Sequence, residues 1–173
     1  SVVWNDDVAT AEAFGNILYT DAIDKKMFTG EYCYYEDSTG YIMATDSALV
    51  IDYSQADTMF AHADTFKIFT YNIDTDSVYR IMHGYHHMRV FHNDVQAVCD
   101  SMVYASRDSL LIMYQDPILW QAGQQQLGEE SRMFFGNGNI DSVQGLRQAL
   151  SVERIDSIHY NQVSGHEMHS YFR

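Results

Sequence analysis

The chain has 173 residues, a formal net charge of −14 and one proline, with 46% hydrophobic and 14% aromatic residues. Only 10 Lys plus Arg stand against 24 Asp plus Glu, so the clustered cations that nucleic acid needs are missing and nucleic acid is excluded as a partner. The same balance excludes simple electrostatic docking on anionic lipid headgroups, and the hydrophobic share excludes a disordered chain.

Short alternating apolar runs dominate, and strands are predicted in chain order. They are Val8–Tyr19, Lys26–Tyr35, Gly40–Asp52, Thr58–Ala61, Thr65–Tyr71, Val78–Met82, Tyr85–Phe91, Val95–Tyr104, Ser109–Tyr114, Ile118–Ala122, Gln125–Gly128, Ser131–Phe135, Ile158–Tyr160 and Gln162–His169. Turn signals separate them at Asp37-Ser38-Thr39-Gly40, Asn72 to Asp76, His92-Asn93-Asp94 and Gly136-Asn137-Gly138-Asn139. Val8 to Phe14, inside the first predicted strand, and Gly145 to Val152 carry helix formers and are the two places that could form a helical turn instead. Strand after strand at this spacing predicts an all-β chain, and 1–173 is expected to be a single β domain of a longer protein or filament. The opening Ser1-Val2-Val3-Trp4 is expected of a processed protein or a piece of a longer one, and no apolar stretch approaches the roughly 18 residues that span a bilayer.

An Asp is followed directly by Ser or Thr ten times, mostly at the edge of an apolar run. Two copies align: Gly40 to Val50, containing Asp46-Ser47, and Asp94 to Tyr104, containing Asp100-Ser101. An unpaired carboxylate is costly to bury, so Asp46 and Asp100 should face water. The odd positions (Tyr41, Met43, Thr45, Ser47, Leu49 and Ile51, then Val95, Ala97, Cys99, Ser101 and Val103) should then face the interior. The Asp-Ser/Thr pairs read as turn and register markers rather than as cation ligands or catalytic acids.

No G-x-S-x-G, P-loop, H-E-x-x-H or C-x-x-C occurs, so no nucleophile or metal motif is expected, no cofactor, and no enzyme. His83, His86, His87 and His92 are close in sequence, but strand parity separates them, and exposed strand histidines are expected rather than a metal site. Cys33 and Cys99 could pair only if the fold brought them together.

Thr45-Asp46-Ser47-Ala48-Leu49-Val50 and Cys99-Asp100-Ser101-Met102-Val103-Tyr104 alternate with units of a second kind, Met27 to Tyr32 and Val163 to Glu167. Together with Ser109 to Trp120 and Asp156 to Gly165, this order resembles the OstA-like family, which supplies periplasmic parts of lipopolysaccharide transport. The resemblance runs from Ala9 to Phe172. Thr45 and Cys99 stand where Ala is usual, and Gln115 or Asp116 where Gly is usual. It implies an open, V-shaped antiparallel β-jelly roll (a β-taco) of repeated short strands. It further implies a periplasmic location, an apolar groove for lipid A acyl chains, and edge-to-edge strand pairing with other OstA-like domains. Inner- and outer-membrane transport components are the remaining partners implied. The residues expected to line the groove are Tyr41, Met43, Leu49, Ile51, Phe66, Ile68, Met88, Val90, Val95, Ala97, Val103, Ile118 and Trp120. Two other functions fit a repetitive β scaffold: a surface glycan-binding β-solenoid or sandwich, with aromatics on one flat face, and a carbohydrate-active enzyme, with converging acids.

Overall fold

The computed structural model describes the chain except for residues 23, 24, 55–57, 122, 137, 138, 172 and 173. Ala122, Asn137, Gly138 and Phe172, which the predicted elements include, lie outside the described residues. The described residues form β-strands and no helix. The strands are β1 (Val2–Asn5), β2 (Thr10–Asp21), β3 (Lys26–Glu36), β4 (Tyr41–Asp52), β5 (Met59–Tyr71), β6 (Tyr79–Phe91), β7 (Val95–Ala105), β8 (Leu110–Tyr114), β9 (Ile118–Gln121), β10 (Gln124–Leu127), β11 (Glu130–Gly136), β12 (Asn139–Arg154) and β13 (Tyr160–Tyr171).

All pairings are antiparallel, and they follow chain order from β1 to β7. Six segments, β7, β8, β11, β12, β10 and β9, pair in a closed antiparallel ring, and β1–β6 and β13 extend the sheet from it. The registers show how the ring arises. β8 and β9 lie end to end along one side of β7, opposite Ser101–Ala105 and Val95–Val98. β10 and β11 likewise lie end to end along one side of β12, with β13 on its other side. The ring therefore encloses the two breaks at residues 115–117 and 128–129, and the path through the sheet is a meander of hairpins.

Every long strand is interrupted once, near its middle. The register skips between Phe14 and Ile17 in β2, Thr45 and Ala48 in β4, Tyr85 and Met88 in β6, and Leu146 and Ala149 in β12. In the neighbouring strands one residue opposes each two-residue skip: Glu31, Asp64, Asp100 and His166. These are β-bulges, which bend a strand and sharpen its twist. They recur at the same level in each strand, so they line up as a crease. The two-residue corners take left-handed backbone: Gly15 and Asn16, Asp46 and Ser47, His87, Gln115 and Asp116, Arg147 and Gln148. That region disfavours most side chains, and Gly, Asn and Asp tolerate it best.

The crease folds the sheet onto itself. Gln126 pairs with Ser151, which pairs with Val163. Ser170 lies seven residues further along β13, so a flat sheet would hold Gln126 and Ser170 roughly 25 Å apart. Instead Gln126 Nε2 donates to Ser170 Oγ at 2.6 Å. The Phe28 and Phe66 rings, on opposite sides of the crease, are likewise 6.2 Å apart between centroids. One hydrophobic cluster fills the space between the two arms, with Phe66, Met88, Met113, Leu119, Met133 and Val143 all but fully buried.

Several predicted elements are corrected. The two expected helical turns are strand: Val8 to Phe14 leads into β2, and Gly145 to Val152 crosses the corner of β12. Thr58–Ala61 and Thr65–Tyr71 are one strand, as are Val78–Met82 and Tyr85–Phe91, because the corner residues that look like turns only bend them. β1 and β12 were not predicted, and β12 is the longest strand at 16 residues.

Candidate functional site

The cross-strand registers sort the sheet into rows. On the arm after the corners of even-numbered strands, one row runs Phe28, Val50, Ala61, Val90, Ala97, Leu119, Gln126, Ser151 and Val163. On the other arm a row runs Cys33, Ala44, Phe66, Gly84, Met102, Met113, Ser131, Gly145 and Met168. Its neighbour runs Ile42, Ile68, Met82, Tyr104, Leu111, Met133, Val143 and Ser170. These rows face each other and form the interior. Ala44, Ala48, Ala61, Ala63 and Ala97 let the arms approach, and a Cβ on Gly84 would fall 2.5 Å from Met88 Sδ.

Of the residues expected to line a groove, Phe66, Ile68, Met88, Val90, Val95 and Ala97 belong to this interior. Tyr41, Met43, Leu49, Ile51, Val103, Ile118 and Trp120 do not. They fall in the outer rows, with Met43 paired to Lys67, Leu49 to His62, and Trp120 39% exposed. The odd-face assignment for β4 is thus corrected, since Ala44 and Ala48 are fully buried while Ser47 is exposed. The corner explains the error. Asp46 points to water because it sits at the bend, and a carboxylate there says nothing about the face of the flanking residues. In β7 the single corner residue Asp100 flips the alternation, so Val95 and Ala97 face inward before it and Met102 and Tyr104 after it.

The interior is not uniform. From β3 to β9 it is apolar, and at β9–β13 one arm turns polar. There one cross-strand row runs Gln121, Gln124, Glu153 and Asn161, of which Glu153 and Asn161 are exposed, and beside it lie Gln126 and Ser151. A cleft of about 470 Å³ opens between the arms at this end, lined by Gln124, Ser151, Glu153, Asn161, Val163, Met168 and Ser170 among others. Gln126 is 5% exposed and held by Ser170, whereas the buried Gln121 Oε1 has no hydrogen-bond partner among the described residues.

Outside, the crease carries paired polar groups. His87 Nδ1 lies 2.8 Å from Asp64 Oδ2 and His86 Nδ1 2.9 Å from Asp100 Oδ2. Asn16 N donates to Glu31 Oε2, and Arg147 bridges Glu129 and the buried Glu130 at 3.0 Å each. Hydrogen bonding to these two carboxylates pushes the Arg147 guanidinium above its ordinary value. Asp46-Ser47, Asp64-Thr65 and Asp100-Ser101 therefore include residues of the bend itself, while Asp156 caps a turn through Ile158 N and His159 N. Those backbone donors and the His159 ring hold the Asp156 carboxyl below the usual range.

The outer face of the arm bearing Tyr41 holds a chain of half-buried rings: Tyr34, Tyr41, Phe69, His83 and Tyr85, at centroid steps of 5.1 to 6.1 Å. Burial, then the Lys67 charge, lower the His83 imidazole below its ordinary value. Among the described residues no group of three or more His, Cys, Asp or Glu could hold a metal ion. Cys33 and Cys99 are free, and burial pushes the Cys99 thiol up to about 12, so it rests as an inert thiol. No family model matches this chain, and no curated protein matches it.

Proposed function

We propose that this chain is a lipid-shielding module of the OstA-like kind: an open antiparallel β-jelly roll, folded as a V, that carries lipopolysaccharide acyl chains across the periplasm. The observation that carries this reading is the unbroken apolar interior from Phe28 to Leu119, enclosed by a creased sheet with unpaired outer edges. Among the described residues β13 has no partner on its second side, and Ser1 with β1 covers β2 only over Thr10–Phe14. Such edges are templates for strand pairing with a neighbouring OstA-like domain. Met88, Met102, Met113 and Met133 supply flexible thioethers in the interior, and such side chains repack around guests of varied shape. The arms part along the crease, and acyl chains replace protein contacts with a transfer gain of about 0.8 kcal/mol per CH2. The module works by binding and hand-over rather than catalysis, between inner- and outer-membrane components that supply the energy. Its net charge of −14 keeps phosphate groups away from the protein surface.

The test is photocrosslinking to lipopolysaccharide in cells from Val95, Met113 and Met133, with Met43 and Ile118 as outward-facing controls. Adducts are expected from the first three and not from the controls. No adduct from the interior positions, or adducts from the controls alone, would overturn the reading. The row of outer rings favours a second reading, a surface glycan-binding β protein. The rings of Tyr34, Tyr41 and Phe69 tilt 44° to 55° to one another rather than forming a flat platform, which weighs against it.

A further inference from the structure

We propose that the outer face of the arm carrying Val50 and Ala61 packs against the same face of a second copy of this chain, sheet on sheet, in a closed dimer. Two outer rows make up this face. The row nearer the tip of the arm contains Met27, Ile51, Phe60, Phe91, Trp120 and Val152. The row nearer the crease contains Leu49, Val98, Ile118, Leu127 and Leu150. From β2 to β13 neither row holds an Asp or Glu, although the chain has 24, and Arg89 is their one Lys or Arg. The outer face of the other arm differs, because one row there includes Glu12, Lys67 and Arg132. Phe60, Phe91 and Trp120 are 37%, 47% and 39% exposed, so these rings stand in water in the single chain. A continuous apolar face of this kind, poor in charge and rich in aromatic residues, marks a protein contact.

Area, charge and shape point to a second copy as the occupant. Along the strand order from β2 to β13 the face spans roughly 43 Å, and its two rows roughly 13 Å, or about 550 Å² in plan. Two copies together cover about 1,100 Å², which clears the ~1,000 Å² of a specific interface. A net charge of −14 repels an anionic lipid surface and equally a second acidic chain, unless the contact itself excludes carboxylates, as this face does. The shape is self-complementary. The rings of the tip row form a ridge, and the half-buried aliphatic side chains of the crease row form a trough beside it. A two-fold axis parallel to the crease lays the ridge of each copy in the trough of the other, with the strands aligned as in a β-sandwich. The same axis brings Arg89 of each copy over the Phe91 ring of the other, a cation–π contact for the one cation on the face. The sheet edges stay open in this dimer, so the inference depends neither on edge pairing nor on acyl chains entering the interior.

The experiment is sedimentation velocity of the full chain over a dilution series, at low and at high salt. The expected result is a monomer–dimer equilibrium that stops at two copies and tightens as salt screens the repulsion between two acidic chains. Combining Phe60→Asp with Phe91→Asp should weaken the dimer at least about tenfold, because carboxylates would be desolvated against apolar surface. Gln96→Glu, nearly isosteric at an exposed position between Phe91 and Trp120, should weaken it in the same direction with the urea midpoint of the monomer unchanged, which separates loss of the dimer from loss of the fold. Met43→Glu, on the outer face of the other arm, should leave the dimer as it is. A monomer at every concentration, assembly that continues beyond two copies, a dimer that neither variant weakens or that Met43→Glu weakens as much, or capture of the monomer by phosphatidylcholine vesicles would each overturn the proposal. Lipid crosslinking from Val95 and Met113 is a separate readout, so failure of dimerisation and failure of lipid shielding are told apart.

Discussion

Replacing Phe66 and Phe28 tests whether the two arms are packed against each other. Phe66 is fully buried and Phe28 is 8% exposed. Phe28 aligns through Val50 with Ala61, five residues before Phe66 on β5. A flat sheet would place the two residues roughly 20 Å apart, from about 17 Å along the strand and about 10 Å across it. The observed ring separation is 6.2 Å. Phe66→Ala removes roughly 150 Å² of buried apolar surface, about 4 kcal/mol at ~25 cal/mol per Å², within the ~3–5 kcal/mol of large-to-small core changes. If the inner faces were wet and apart, most of that loss would vanish. Urea unfolding of both single variants and the double variant closes a cycle, and the rings should couple by about 0.5–1.5 kcal/mol. A coupling within ~0.3 kcal/mol of zero, with Phe66→Ala costing under ~1 kcal/mol, would refute the folded sheet.

Two further outcomes follow from the corners and the outer rings. Ser47 is exposed at φ 63°, so Ser47→Val should destabilise by about 1–2 kcal/mol through backbone strain alone, and Ser47→Gly should not. A Val variant as stable as the parent in urea would dismiss the strained corner. The His83 imidazole is harder to protonate folded than unfolded, so the unfolded state takes the proton first as pH falls. Its neutral form therefore supports the fold above the ordinary His range, and that support is lost as pH drops through it. His83→Phe should flatten the fall of the urea midpoint between about pH 8 and about pH 5, and an unchanged slope would show that His83 is not its source.

The strands were legible because β-branched and aromatic residues alternate between turn signals, as in Lys26–Glu36 and Val95–Ala105. The faces were not, and the reason is the corner. A one-residue bend such as Asp100 inverts the alternation, while the two-residue bend at Asp46-Ser47 preserves it. A reading that carries one parity through both must misplace Val103, and one anchored on Asp46 must misplace Met43 and Leu49. Strand β12 escaped because its inward residues near the bend are Gly145 and Ala149, and its outward ones are Gln144, Arg147 and Gln148. Its pattern shows only against its neighbours. The polar cleft was hidden for the same cause: Gln124, Glu153 and Asn161 belong to three strands, and only the register makes them one row.

The two kinds of corner alternate because neighbouring strands run in opposite directions. Strands running one way bend with a two-residue corner, at Gly15-Asn16, Asp46-Ser47, His86-His87 and Arg147-Gln148. Those running the other way bend with one residue, at Glu31, Asp64, Asp100 and His166. The structural repeat is thus a hairpin, not a fixed number of residues, which is why the spacing along the sequence is irregular while the crease is straight. The crease adds one inner row position per strand, running from β2–β6 into the six-segment ring that the β7–β9 pairing closes. Its length is set by strand count, and its interior can change character from one hairpin to the next without disturbing the bend. That independence lets apolar positions run from Phe28 to Leu119 and glutamines begin at β10 within one sheet. The polar step lies at β9, β10 and β12, within the ring and beside β13.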